Sequence, residues 1–300
     1  MSSSSVTTQW DRLRLHNGCW HGSFARLDAV GQQIAETPSI VTLRDEEQDA
    51  ANSHSTPPPI HQTVAFGDGA GNWQPPSHFT YRSLSRGILF FDTGAYSQGS
   101  LQASPIATFG AEFGFVMGDR RFRAVVQYTP SSSQNLLTQL TLIREHRDIP
   151  APDARSPLHV EQLVGTWQGQ STSIDPDWYE SIAAETELVI QQTGDRLHQT
   201  LSFPGFKRQS TAVIENHRLL FSDAAKPEQP SIQVLLLPDG ASITAPLSLP
   251  KGQAFFLEIG WLVAPTKRYR LIRHYDAQGA WSHLTLVEEK KVTPSDNTET

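Results

Sequence analysis

Arg273-His274-Tyr275 ends a run in which charged and apolar residues alternate, Lys267-Arg268-Tyr269-Arg270-Leu271-Ile272. Residues two apart on a strand project from the same face, so Arg273 and Tyr275 point together. A guanidinium offers a fork of donors matched to a carboxylate, and the phenol adds another. The pair is therefore the leading candidate for holding a carboxylated ligand. Arg268 and Arg270 fall on the opposite face of the same strand. Only one face can line a lumen, and the alternation does not say which. An outward arginine, with Tyr275 packed at a rim, fits the pattern equally well. On the preceding run, across the Pro265-Thr266 turn, stand Glu258 and Trp261. Trp261 could stack on a conjugated ligand, although an aromatic at such a position more often fills a core. Glu258 is the candidate general acid, since a carboxyl in an apolar run can be held protonated. An ion pair with a nearby arginine explains it as well.

Other segments carry weaker signals. Gly67-Asp68-Gly69-Ala70-Gly71 is glycine-rich, but Asn72-Trp73-Gln74-Pro75-Pro76 follows and forbids the helix start a pyrophosphate needs. Gly94-Ala95-Tyr96-Ser97-Gln98-Gly99 misplaces the first glycine of a nucleophile elbow. The 11 histidines are scattered without metal-ligand spacing, so no metal is expected. A net charge of −7 and dispersed basic residues argue against nucleic acid. The single Cys19 allows no internal disulfide, and no apolar run is long enough for a membrane helix. The start lacks the apolar core of a signal peptide, so a cytoplasmic protein is expected.

The elements that must position these groups come from a repeat. Gly18-Cys19-Trp20-His21-Gly22 through Asp28 matches Gly165-Thr166-Trp167-Gln168-Gly169 through Asp175, 147 positions later. Glu112-Phe113-Gly114-Phe115 leads to Arg121-Phe122-Arg123 and Tyr128. Glu258-Ile259-Gly260-Trp261 leads to Arg268-Tyr269-Arg270 and Tyr275. Each half ends on a β-rich run, with Thr141 to Glu145 set against Thr285 to Glu289. Three matches in one order point to duplication. The halves are residues 1–148 and 158–293, with a Pro-rich linker at 149–157 and a polar tail at 294–300. Ser2 to Ser5 and Thr293 to Thr300 are expected to fray. Each half reads as short strands broken by turn pairs such as Pro238-Asp239-Gly240. Helical periodicity is confined to Trp10–His16 and Val160–Val164, just before each Gly-x-Trp.

Gly18-Cys19-Trp20 and Gly165-Thr166-Trp167 resemble the opening signature of the calycins, where a helical turn enters the first strand and the Trp closes the barrel. The fold expected is therefore all-β, two tandem antiparallel lipocalin-like barrels, with Gly18, Trp20, Gly165 and Trp167 as closure residues. The C-terminal stretch from Phe255 through Trp281 resembles an uncharacterised cyanobacterial family of double-calycin proteins. It is more distantly similar to the S-type phycobiliprotein lyases. That likeness implies a bilin as bound ligand and a phycobiliprotein as acceptor. Arg273 and Tyr275 resemble the carboxylate clamp of fatty-acid-binding calycins, and the duplicate, Val126-Gln127-Tyr128, has no arginine. The function expected is binding and delivery of a small apolar, carboxylated ligand in the C-terminal barrel, with Arg273, Tyr275 and Trp261 as contacts. The alternatives are a cyclase or isomerase using Glu258, and a filled-barrel assembly factor that binds only protein.

Overall fold

The computed structural model describes residues 7–46, 57–132, 134–149, 157–222 and 229–292. The expected fraying of Ser2 to Ser5 and of Thr293 to Thr300, and most of the expected linker, lie outside the described residues. In the first half, helix α1 (Gln9–Arg14) precedes strands β1 (Gly18–Leu27), β2 (Gln33–Asp45), β3 (Ile60–Phe66), β4 (Ser77–Tyr81), β5 (Ile88–Phe90), β6 (Tyr96–Gly99), β7 (Phe109–Met117), β8 (Arg120–Ser131) and β9 (Gln134–Arg147). In the second, helix α2 (Val160–Leu163) precedes β10 (Gly165–Ile174), β11 (Ala184–Thr193), β12 (Arg196–Phe203), β13 (Phe206–Glu215), β14 (Arg218–Phe221), β15 (Ile232–Leu236), β16 (Ala241–Pro246), β17 (Phe255–Ala264), β18 (Lys267–Tyr275) and β19 (Trp281–Lys291). Both short helices form where the periodicity places them. No described helix is long and apolar enough to cross a membrane.

The all-β double barrel is what the sequence predicts, with one asymmetry. Strands β10 to β19 close into a ten-stranded barrel, because β10 pairs with both β11 and β19. The first sheet runs β4-β3-β2-β1-β9-β8-β7-β6-β5 and stays open between its short end strands, β4 and β5.

Every residue of the repeated motif has a backbone or packing task. Gly18 and Gly165 take φ of +142° and +129°, values closed to residues with a Cβ. At Gly22 a Cβ would lie 1.8 Å from the Arg144 carbonyl oxygen, and at Gly169 2.0 Å from that of Glu288. Those glycines let the first and last strands of each half approach. The fully buried indoles of Trp20 and Trp167 donate to the carbonyls of His16 and Leu163, both at 2.8 Å, tying each helical turn to its strand. Arg121 lies over Trp20 at 4.6 Å, and Arg268 over Trp167 at 4.7 Å. The carboxylates of Asp28 and Asp175 accept backbone N–H bonds in the following turns.

The largest core lies between the halves. Side chains on the outer faces of β7 and β8, among them Phe109, Phe115 and Phe122, pack against Phe255, Trp261, Tyr269 and Tyr275 from β17 and β18. Trp261 stacks on Phe122 at 5.7 Å and meets Phe115 at 5.9 Å. Polar ties cross the same boundary. Tyr128 donates to the Pro246 carbonyl at 2.7 Å, Arg144 pairs with Asp239 at 3.2 Å, and Gln233 donates to the Ala29 carbonyl at 2.6 Å. The halves therefore form one packed body.

Truncating Trp261 to Ala should cost about 3–5 kcal/mol, the usual range for removing a large buried aromatic. Urea unfolding followed by far-UV and near-UV circular dichroism should keep one coincident transition, shifted to lower denaturant. Two separated transitions would show that the barrels unfold independently.

Candidate functional site

Paired residues of an antiparallel ladder share a face, so the register assigns each side chain of β17 and β18 to the lumen or to the interface. Leu257 pairs with Arg273, Trp261 with Tyr269 and Phe255 with Tyr275, and this set faces the first half. Arg273 is completely buried. Its donors reach Tyr275 Oη at 2.7 Å and the carbonyls of Gly87 and Ser100, each at 3.3 Å, and its guanidinium lies 3.6 Å from the Trp281 ring centroid. Tyr275 also donates to the Ser100 carbonyl, at 3.0 Å. The sequence pair is thus together as expected, on the wall between barrels, with the chain's own backbone as its partner. Trp261, 1% exposed, sits in that same wall.

The opposite face lines the lumen. Arg268 and Arg270 both bond Glu289, and Arg270 also reaches Glu258 at 3.3 Å. Glu258 therefore stands in an ion pair, the reading that shared its place with general acid. The first half repeats the arrangement. Arg121 and Arg123 both bond Glu145, at 2.6–3.1 Å, and Arg123 reaches Glu112 at 3.0 Å. Two arginines and two glutamates close each barrel on its Trp, and their formal charges cancel. Burial alone would raise the Glu145 pKa, but Arg121 and Arg123 outweigh it and hold it at about 2. Arg-x-Arg and the final Glu of each half were both visible in the repeat; their convergence was not, because they stand on three different strands.

The two lumens differ above these floors. In the first, a cavity of about 130 Å³ lies beside His16, Tyr96, Glu112 and the arginines, and touches Tyr81, Leu84 and Ile88 at the open β4–β5 gap. Tyr96 donates to Glu112 at 2.5 Å, and burial, followed by Glu112, pushes its phenol well above the ordinary value. Gly114 makes room for this ring, since a Cβ there would lie 2.1 Å from it. The sequence does not single out His16 or Tyr96: one lies before the first strand, the other in the Gly94–Gly99 stretch that fails as a nucleophile elbow.

In the second lumen, Leu188, Ile190, Leu197 and Leu219 pack near Trp167, while Leu201, Phe221 and Val234 are only partly buried. The imidazoles of His274 and His283 stack there at 4.1 Å. Burial, reinforced by His283, lowers the His274 pKa to about 3. At the barrel end opposite Trp167 stands an apolar rim. Trp178, Tyr179 and Ile182, on the β10–β11 loop, are 55%, 74% and 93% exposed, and Phe203 and Phe206 stack at 4.4 Å on the adjacent hairpin. Arg12 pairs with Glu180 at 2.9 Å, and Arg86 pairs with Asp177, so the first half pins this loop. Trp178 itself sits at φ +70°, a costly conformation for a bulky residue.

A crystallised protein of unknown function from the DUF3598 family of Nostoc punctiforme is 35% identical to this chain, covering 96% of it and 100% of the Nostoc chain, with a TM-score of 0.83. The chain belongs to the DUF3598 family. Residues 6–149 match the model described as the N-terminal domain of DUF3598. Residues 154–292 match a domain described as the C-terminal domain of biogenesis factor required for ATP synthase 1. A putative outer membrane protein from Bacteroides fragilis aligns over 93% of this DUF3598 chain and 99% of its own, but at 11% identity and a TM-score of 0.24. Transferrin binding protein B from Haemophilus parasuis aligns over 92% and 76%, at 8% identity and a TM-score of 0.24. No curated protein matches.

Two consequences of the buried charges are measurable. Burial lowers His16, like His274, to about 3, against about 6.5 in the unfolded chain. Between these values the unfolded chain binds the extra protons, so stability falls as pH falls, by up to about 1.4 kcal/mol per pH unit for each histidine. Glu145 acts lower: its contribution is complete above its unfolded pKa and is lost as pH falls toward about 2. The urea midpoint should therefore drop from pH 6.5 to 4.5, with a shallower slope in His16→Leu; a flat midpoint would contradict neutral buried histidines. At pH 7, Glu145→Gln should cost about 3–5 kcal/mol by leaving the arginine pair undercompensated, and a loss under 1 kcal/mol would refute that role.

Proposed function

We propose that this DUF3598 protein is an assembly factor, which holds an apolar segment of a client protein at the rim of its C-terminal barrel. One observation carries the reading: five large apolar side chains stand in water at one end of that barrel, Trp178 in a strained backbone conformation on a loop pinned by two ion pairs. Large apolar side chains exposed at one end of a folded protein suit an interaction site, and Trp and Tyr are prominent among the side chains that carry binding energy. Beside the rim runs a groove of about 620 Å³ that includes Phe203, Glu185 and Glu187, which suits a client segment carrying basic residues next to apolar ones. The domain match over this barrel, to a biogenesis factor required for ATP synthase, supports the same class of work and suggests ATP synthase subunits as first clients. Both barrel floors are closed by Arg–Glu quartets whose formal charges cancel. The lone Cys19 suits a reducing cytoplasm.

Carriage of an apolar carboxylated ligand such as a bilin is the second reading. The partly buried Leu201, Phe221 and Val234 beneath the rim favour it, since a ten-stranded barrel is wider than the eight-stranded ones that hold one small ligand. In that reading the polar contacts come from His274 and Thr285, 3.3 Å apart, because Arg273 is engaged elsewhere.

Sedimentation of the purified protein with separately purified ATP synthase subunits should show a saturable complex with at least one of them. The triple variant Trp178→Ala, Tyr179→Ala, Phe206→Ala should weaken it tenfold or more at unchanged Tm. Absence of any complex, or one indifferent to the rim, rejects the assembly reading. Saturable quenching of tryptophan fluorescence by phycocyanobilin would then favour the carrier.

A further inference from the structure

The first barrel's lumen holds a cavity that neither its closure nor the rim of the second barrel uses. Its chemistry is particular to this half. Where His16 supplies the carbonyl for Trp20, Leu163 does so for Trp167. Tyr96 pairs with Gly114 across the sheet, and in the second half the matching Gly260 pairs with Ser242. Both side chains that distinguish this lumen border the same space of about 130 Å³.

The hydrogen-bond inventory of that space is short. His16 Nε2 lies 2.8 Å from the Gly94 carbonyl oxygen. A carbonyl only accepts, so Nε2 carries the proton and Nδ1 is a bare acceptor. Among the described residues no donor reaches Nδ1, although His16 is 2% exposed and lines the cavity. Burial keeps the ring neutral at physiological pH. The neighbouring charges are spent on one another: Arg121 and Arg123 on Glu145 and Glu112, and Tyr96 on Glu112. An ionic ligand would find no free counter-charge there. Two amides also line the space, Gln62 accepting from Tyr81 at 2.9 Å and Gln98 donating to Glu112 at 3.0 Å. The other walls are apolar, including Leu13, Val41, Ile88 and Phe90, and Phe90 stacks on Tyr96. The open β4–β5 gap, with Tyr81 and Leu84 beside it, gives the route in from solvent.

We propose that the first barrel binds a small neutral aromatic ring bearing one hydrogen-bond donor, its O–H or N–H directed at His16 Nδ1 and its ring held by the apolar wall. The volume sets the size: a dry cavity of roughly 150 Å³ takes one benzene ring, which makes a phenol the right scale. Charge sets the selectivity, since the floor quartet is neutral and a carboxylate would be desolvated without a partner. This site is separate from the rim of the second barrel and stands whether or not that rim binds a client.

The test uses the full chain with phenol, toluene and benzoate as probes, read by ligand-observed NMR and by the shift in Tm. Phenol should bind saturably and raise Tm, toluene should bind more weakly, and benzoate should not bind. His16→Leu, which installs the residue the second half carries at this place, should weaken phenol about five- to tenfold, the usual worth of one hydrogen bond, and leave toluene within about twofold. Leu84→Trp should block both rings. The proposal is overturned if phenol fails to bind the wild-type chain, if benzoate binds as well as phenol, or if His16→Leu weakens phenol and toluene alike. Binding that survives Leu84→Trp would also overturn it, by placing the ligand elsewhere.

Discussion

Two barrels that share a wall ask two opposite things of the same strands. In β17 the residues facing outward, Phe255, Leu257, Ile259 and Trp261, are buried against the first half, while Glu258 faces inward to an arginine. The usual rule of apolar inside and polar outside is inverted at the floor of each barrel. This inversion depends on charge cancellation. A lone arginine in a lumen would cost several kcal/mol of desolvation, and a pair bonded to two glutamates removes most of it. With the inward charges neutralised, the outer faces of these strands are largely apolar, Arg273 excepted, and the halves pack through them.

Arg273 shows how the two halves differ where they pack together. Its counterpart is Val126, an ordinary member of the apolar layer. At position 273 the same layer accepts a guanidinium, because Gly87 and Ser100 turn carbonyl oxygens toward it and Trp281 covers its face. A residue type chosen for recognising carboxylates here recognises a strand end of its own chain. The donor geometry is the same in both uses; only the acceptor differs.

The asymmetry between an open and a closed sheet divides the work of the two halves. Closure of β10 to β19 gathers exposed apolar residues at one mouth, and the first half contacts the loop there through Arg12 and Arg86. The gap between β4 and β5 leaves the first lumen reachable from the side.

How much of this was legible in the chain depended on range. Gly18, Trp20, Gly165 and Trp167 announced two barrels, because a positive φ, a close strand approach and a plugged barrel end each demand a particular residue at a fixed short spacing. The strand pair carrying Arg273 was legible too, as were the two helical turns. The repeat even aligned Glu145 with Glu289. What the sequence could not settle was direction. Alternation tells which residues share a face, and it is silent when both faces are buried, as they are in β17 and β18. The lumen side of Arg268 and Arg270, the interface side of Arg273 and Tyr275, and the nearness of His16 to Tyr96 were fixed only when strands distant in sequence were paired and the two sheets packed, since burial is a property of the assembled layers and not of any one segment.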